Sequence, residues 1–178
     1  AYVTATVRPL THLRHENHCT EFCELFSLRS WYLAPLVHDD VVRQVRRYIE
    51  AYEAKFNTAD IDFIFEWAGG HPRMIDGVCR VLDDALNSAP TEQQPEGPDR
   101  WQLHRDVSRR LRNDEFLSRE CQRIWDECSS EEQKELLALD VADHQPNPEV
   151  INGLVRRHLL LRAGAQVINN LVQNCRHN

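Results

Sequence analysis

The sequence predicts a mainly α protein. Most of the chain repeats apolar residues every three or four positions, capping residues and prolines punctuate those repeats, and β-forming runs are confined to the first 36 residues and the last 20. At 178 residues, 42% hydrophobic and 28% charged, it has the length and composition of a folded domain or two small ones.

The elements follow in order. Ala1–Val7 is rich in β-formers and reads as a strand from the first residue, and Ser30–Leu33 is a second strand candidate ending near Pro35. A helix opens at Asp39 and Asp40, with an apolar stripe of Val41, Val45, Tyr48, Ile49 and Tyr52. Asn57 caps the next, whose inner face carries Ile61, Ile64, Phe65 and Ala68. After Gly69-Gly70, a third stripe runs through Ile75, Val78, Cys79, Leu82 and Leu86. Residues 87–99 hold three prolines and no periodicity, so they read as a linker. A basic helix follows, with Trp101, Val107 and Leu111 on one side and Arg105, Arg109, Arg110 and Arg112 nearby. Its flanking acids point to a solvated, ion-paired face.

The last third has its own plan. One helix carries Phe116, Leu117, Cys121, Ile124, Trp125 and Cys128. Ser129-Ser130-Glu131-Glu132 is a capping box opening a second, with Leu136, Leu137 and Val141. Asn147 caps a third, with Pro148 at its first position and Val150, Ile151, Leu154 and Val155 inward. Leu159–Leu161 and Gln166–Ile168 then flank Ala163-Gly164 as a short hairpin. Three helices and a hairpin make a winged helix-turn-helix.

Charge and composition exclude several functions. The net charge is −7, with 14 basic and 17 acidic side chains in residues 1–113 and 7 and 11 in residues 114–178. Neither part is a basic module, which argues against strong general affinity for nucleic acid or anionic membranes. No apolar run spans a bilayer and no signal-peptide pattern is present, so a cytoplasmic location is expected and a disulfide framework is not. Cys79, Cys121 and Cys128 read as small core residues. His12, His15, His18, Cys19 and Cys23 match no zinc spacing, and no metal site is assigned. The neighbouring pairs Asp39-Asp40 and Asp83-Asp84 diverge by about 100° on a helix and share no proton.

The most informative stretch is Gly69-Gly70-His71-Pro72-Arg73. Paired glycines let the chain leave a helix in the left-handed conformation and come close to a ligand. Proline suits the first turn of the next helix. That helix N-terminus favours an anion, and Arg73 adds a fixed cationic fork.

In order and spacing, these parts resemble the C-terminal portion of a STAND or AAA+ type P-loop ATPase. The resemblance covers nearly the whole chain. It implies the tail of a nucleotide-binding α/β core (1–36), a helical lid (37–87), a linker and connecting helix (88–114) and the winged helix (115–178). Gly70-His71-Pro72 fits the Gly-x-Pro of such lids, whose proline packs near the adenine. Gly70-His71-Pro72-Arg73 also fits Gly-x-x-Arg, whose arginine (sensor 2) reaches toward the terminal phosphate. Arg8, in Thr6-Val7-Arg8, sits where these families place sensor 1.

The sequence contains no Gly-x-x-x-x-Gly-Lys-Ser/Thr and no strand ending in a magnesium-holding acidic pair. The chain alone is therefore not expected to be an enzyme, and reads as part of a larger protein. By this resemblance it is the regulatory C-terminal part of an ATP-dependent switch in signalling or defence. It would bind ATP or ADP only with a P-loop core, in cis or on a partner chain, with magnesium and oligomerisation belonging to the parent. The rival reading is a sequence-specific DNA-binding winged-helix protein using Asn152, Arg156, Arg157 and His158 of its third helix. Glu149 and the local charge count against it. An inert interaction module is a third.

Overall fold

The structure is a computed structural model that describes residues 33–88, 98–139, 144–163 and 166–168. Seven helices and one hairpin lie in them: α1 His38–Tyr52, α2 Thr58–Ala68, α3 Pro72–Asn87, α4 Pro98–Arg112, α5 Glu115–Asp126, α6 Ser130–Ala138, α7 Pro148–Arg156, then β1 Leu161–Ala163 and β2 Gln166–Ile168. The described protein is mainly helical. The candidate strands at Ala1–Val7 and at residues 30–32, Arg8, and the His12–Cys23 cluster lie outside the described residues. Leu33 is described and is exposed, in no strand.

Local chemistry sets the boundaries. Asn57 caps α2 in a full capping box: its side chain accepts from the Asp60 amide at 3.1 Å, and Asp60 accepts from the Asn57 amide at 2.7 Å. Asp114 caps α5 by accepting from the Leu117 amide at 3.0 Å. Ser129 and Glu132 form the capping box of α6, and Asn147 caps α7, whose first residue is Pro148. The two strands pair antiparallel, with Leu161 opposite Ile168 and Ala163 opposite Gln166.

Helix α3 is the centre. Its apolar stripe, Ile75, Val78, Cys79 and Leu82, is sealed from solvent, and α1, α2, α4 and α5 all pack around it. Val41 and Val45 of α1, Ile64 and Ala68 of α2, and Val107 and Leu111 of α4 complete this core. A second, smaller core joins Cys128, Leu136, Ile151, Leu154 and Leu160. Helix α5 serves both, with Leu117 and Cys121 in the first and Trp125 beside the second.

Several side chains depart from the sequence pattern. Tyr52 is 66% exposed and Trp101 72% exposed, although each was expected on an inner stripe. Leu137 is exposed beside buried Leu136. Cys121 is disulfide-bonded, where the sequence suggested a small core residue and no disulfide framework. Helical spacing locates a buried sulfur but does not say whether it is bridged. Cys79 and Cys128 are free and buried; burial pushes the Cys79 thiol up to about 12, so it stays protonated.

A buried ion cluster ties α2 to α4. The Asp60 carboxylate is fully buried. It accepts from Arg100 Nε at 2.8 Å, from a second Arg100 nitrogen, and from His104 Nε2 at 2.8 Å. Arg100 also donates to the Lys55 carbonyl, and the His104 ring stacks on Phe63 at 4.3 Å.

Candidate functional site

The turn between α2 and α3 holds four of the five residues singled out by the sequence. Gly69 closes α2 in the left-handed region (φ 56°), donating to the Phe65 carbonyl at 3.0 Å. Gly70 follows at φ 76°. Its close approach is to the chain itself: the Leu36 amide donates to the Gly70 carbonyl at 2.8 Å, and a Cβ on Gly70 would collide with the Leu36 carbonyl oxygen. The glycine pair thus seats the segment entering α1, where the sequence suggested ligand contact.

His71 is the N-cap residue of α3, yet its side chain makes no cap hydrogen bond. Its amide donates to the Ala68 carbonyl at 2.9 Å, and its ring turns inward, where Nδ1 is buried without a hydrogen-bond partner. Burial, reinforced by Arg123 and Arg73 against the opposing pull of Glu120, holds the imidazole below its ordinary pKa of 6.5. The folded protein therefore binds its His71 proton less readily than the unfolded chain. The resulting stability is present above pH 6.5 and drains away as pH falls through the lower folded value. An NMR titration of the ring protons is expected to place the His71 midpoint below 6.5. Urea midpoints should fall from pH 7 downward more steeply for the wild type than for His71→Gln.

Pro72 is the first residue of α3 and is exposed. Arg73 comes next. Its side chain is 59% exposed, and Nη2 lies 2.9 Å from Oε1 of Glu120 on α5. Its guanidinium also sits 5.6 Å from the centre of the Phe116 ring. The arginine is accessible, but it is paired across to α5. Glu120 is buried and is shared: its other oxygen accepts from Arg123 Nε at 3.2 Å. Arg123 also reaches Glu127 at 2.8 Å.

Two turns on, the same face of α3 repeats the arrangement. Arg80 pairs with Asp114, the α5 cap, at 2.8 Å, and lies 5.8 Å from the same Phe116 ring. Between the arginines is Gly77, where a Cβ would come within 2.6 Å of Leu117 Cδ2. Arg73, Gly77 and Arg80, at i, i+4 and i+7, thus form one strip that receives the start of α5. Sequence reasoning found Arg73 but missed Glu120 and Phe116. The available signal was a carboxylate among Leu117, Cys121 and Ile124 on the inward face of α5, a position that requires a cationic partner.

In the C-terminal unit, Arg157 is part-buried. One Nη donates to both Glu132 oxygens at 2.8 and 2.7 Å, and the other to the Glu127 carbonyl at 3.2 Å. Glu135 accepts from His144 Nε2 at 2.8 Å and from the Asn147 amide at 2.9 Å, fixing the approach to α7. Among the described residues there is no cluster of His, Cys, Asp or Glu that could hold a metal ion, and no helix long and apolar enough to cross a membrane.

No protein-family model, no curated protein and no solved structure matches this chain.

Proposed function

We propose that this chain is the regulatory C-terminal part of a nucleotide-dependent switch of the STAND/AAA+ type, with α1–α3 as the lid and α5–α7 plus the hairpin as a winged helix. A P-loop core, in cis or on a partner chain, would complete the ATP or ADP site with its magnesium. The chain itself contains no P-loop lysine motif and no strand ending in a magnesium-holding acidic pair, so it is not expected to hydrolyse ATP alone.

The carrying observation is Arg73. It stands at the N-terminal turn of α3, accessible to solvent, and its guanidinium links the lid to α5 through Glu120. A terminal phosphate is a stronger and better-matched acceptor for a guanidinium fork than a shared carboxylate. Phosphate binding would draw Arg73 from Glu120 and leave that buried carboxylate to Arg123 alone. The lid and the winged helix would then loosen at this contact, which converts nucleotide state into a change of inter-unit packing.

The test is nucleotide titration of the chain joined to a P-loop core. Arg73→Ala is expected to weaken ATP by roughly ten- to hundred-fold, the equivalent of ~1.5–3 kcal/mol for one charge-assisted contact, with a smaller effect on ADP. Pro72→Ala should weaken both equally, because a proline senses ring shape and not phosphate charge. An ATP to ADP ratio unchanged by Arg73→Ala would make the arginine purely a clamp on α5.

The DNA-reading alternative loses one of its contacts. Arg157 is committed to Glu132 and to the end of α5, which leaves Arg156 as the exposed cation at that end of α7. A tight sequence-selective duplex complex abolished by Arg156→Ala would restore that reading.

A further inference from the structure

His71 carries a buried nitrogen that the fold leaves unused. Nδ1 is sealed from solvent with no hydrogen-bond partner among the described residues, and the side chain makes no cap bond at the α3 N-terminus. An unpaired buried polar group is costly, so a position that keeps one calls for an explanation. For an imidazole the explanation lies in the proton it can still take. In the cation both ring nitrogens are charged donors, and Nδ1 then needs an acceptor.

The charges around the ring come from two elements. Arg73 belongs to α3, Glu120 and Arg123 to α5, and α1 and α2 bring no charge that weighs on it. Glu120 is the one carboxylate of this set, with a side chain only 7% exposed. Both arginines hold it: Arg73 Nη2 at 2.9 Å from across the helix interface, and Arg123 Nε at 3.2 Å from within α5. The two arginines are not equivalent. Arg123 weighs more on the His71 ring than Arg73 does. Arg123 also has a second acceptor in hand, because its Nη1 already donates to Glu127 at 2.8 Å. Arg73 has no second carboxylate among the described residues; away from Glu120 it has the Phe116 ring and water.

We propose that His71 is a proton-operated switch on the contact between α3 and α5: on taking a proton from solvent, the ring joins Arg73 on Glu120 and drives Arg123 over to Glu127. With a neutral ring, Glu120 is shared between two arginines. A protonated ring would put three cations around one buried carboxylate, and that arrangement is relieved by moving the cation that has another acid in reach. Before the exchange, Glu120 has one partner on α3 and one on its own helix. After it, both partners belong to the turn that opens α3. Protonation still lowers global stability, because the new charge is buried, but within the folded population it hands the α5 carboxylate to the turn. The switch needs no nucleotide, so its failure would leave the proposed phosphate contact of Arg73 standing.

The experiment is an NMR titration of the full chain, without nucleotide, from about pH 8 to pH 4. The Arg123 Nε–Hε signal is expected to move with the same midpoint as the His71 ring, the Arg73 signal to move less, and the Arg123 signal to stay flat around that midpoint in His71→Gln. Linkage makes the effect reciprocal. Arg123→Gln should therefore raise the His71 midpoint by about 0.5–1 in pH, and Arg73→Gln by less. Glu127→Gln removes the second acceptor of Arg123 without touching a charge that weighs on the ring, and should lower the midpoint by a few tenths. Arg46→Gln, on α1, should leave it in place. All four side chains reach solvent, so the fold should tolerate the changes. An Arg123 signal that moves identically in His71→Gln overturns the proposal, because acid would then act on the carboxylates directly. A His71 midpoint unmoved by Arg123→Gln, or moved further by Arg73→Gln, overturns it as well. So does an equal rise in Arg46→Gln, which would reduce the effect to net charge.

Discussion

Asp60→Ala is expected to destabilise the protein by ~3–5 kcal/mol, the range for removing one partner of a buried ion pair. The reason is what remains. Arg100 is buried, and without Asp60 its guanidinium keeps one described acceptor, the Lys55 carbonyl. His104 loses its partner at 2.8 Å, and the α2 capping box loses its reciprocal half. Most of the loss should therefore be the cost of an uncompensated charge. The double variant Asp60→Leu with Arg100→Met should recover much of it, because neither remaining group then needs a partner. Urea unfolding of the two variants checks this, and a single-variant loss below about 1 kcal/mol would mean that water screens the cluster.

The same cluster predicts acid sensitivity. Burial alone would raise the Asp60 pKa, but hydrogen bonds from His104, Arg100 and the Asn57 amide outweigh it and hold the carboxyl below its ordinary 3.8. A depressed acid contributes stability that is full above the unfolded pKa and is lost as pH falls through the folded one. The wild type should thus lose stability from about pH 3.8 downward through this group, and Asp60→Ala should lack that component of the slope.

What was legible in the sequence was what one short window contains. The Asn57, Ser129 and Asn147 caps, the prolines opening α3 and α7, the α3 stripe and the antiparallel pairing of β1 with β2 each depend on residues within a few positions. What was not legible depends on distant partners. Asp60 looks like a solvated first-turn acid until Arg100, 40 residues later, is brought beside it. Arg100 follows a proline-rich stretch that carries no helical period. Trp101 fails for a simpler reason: six residues before Val107, it points some 120° away from it, so the shared inner stripe was a misreading of phase. The candidate site divides in the same way. The Gly-Gly-His-Pro-Arg turn is local and readable, while its Leu36 and Glu120 partners come from elsewhere in the chain.

Gly70→Ala is the second change of large expected effect, and it tests that turn directly. At φ 76° an L residue is strained by ~1–2 kcal/mol. The new Cβ would also overlap the Leu36 carbonyl oxygen and come within 3.0 Å of the Leu36 amide nitrogen. Both are backbone atoms, so no side-chain rotation relieves the clash. The entry to α1 must move away, breaking the 2.8 Å bond from Leu36 to Gly70. Adding ~1–3 kcal/mol for overpacking brings the expected total to about 2–5 kcal/mol in urea unfolding. Gly69→Asn is the control: it too is left-handed, at φ 56°, but at a helix C-cap where asparagine is tolerated, and it should cost about 1 kcal/mol or less. Equal, small losses for both variants would mean that the Leu36 contact gives way freely. In that case the glycine pair would remain available for the ligand approach that the sequence first suggested.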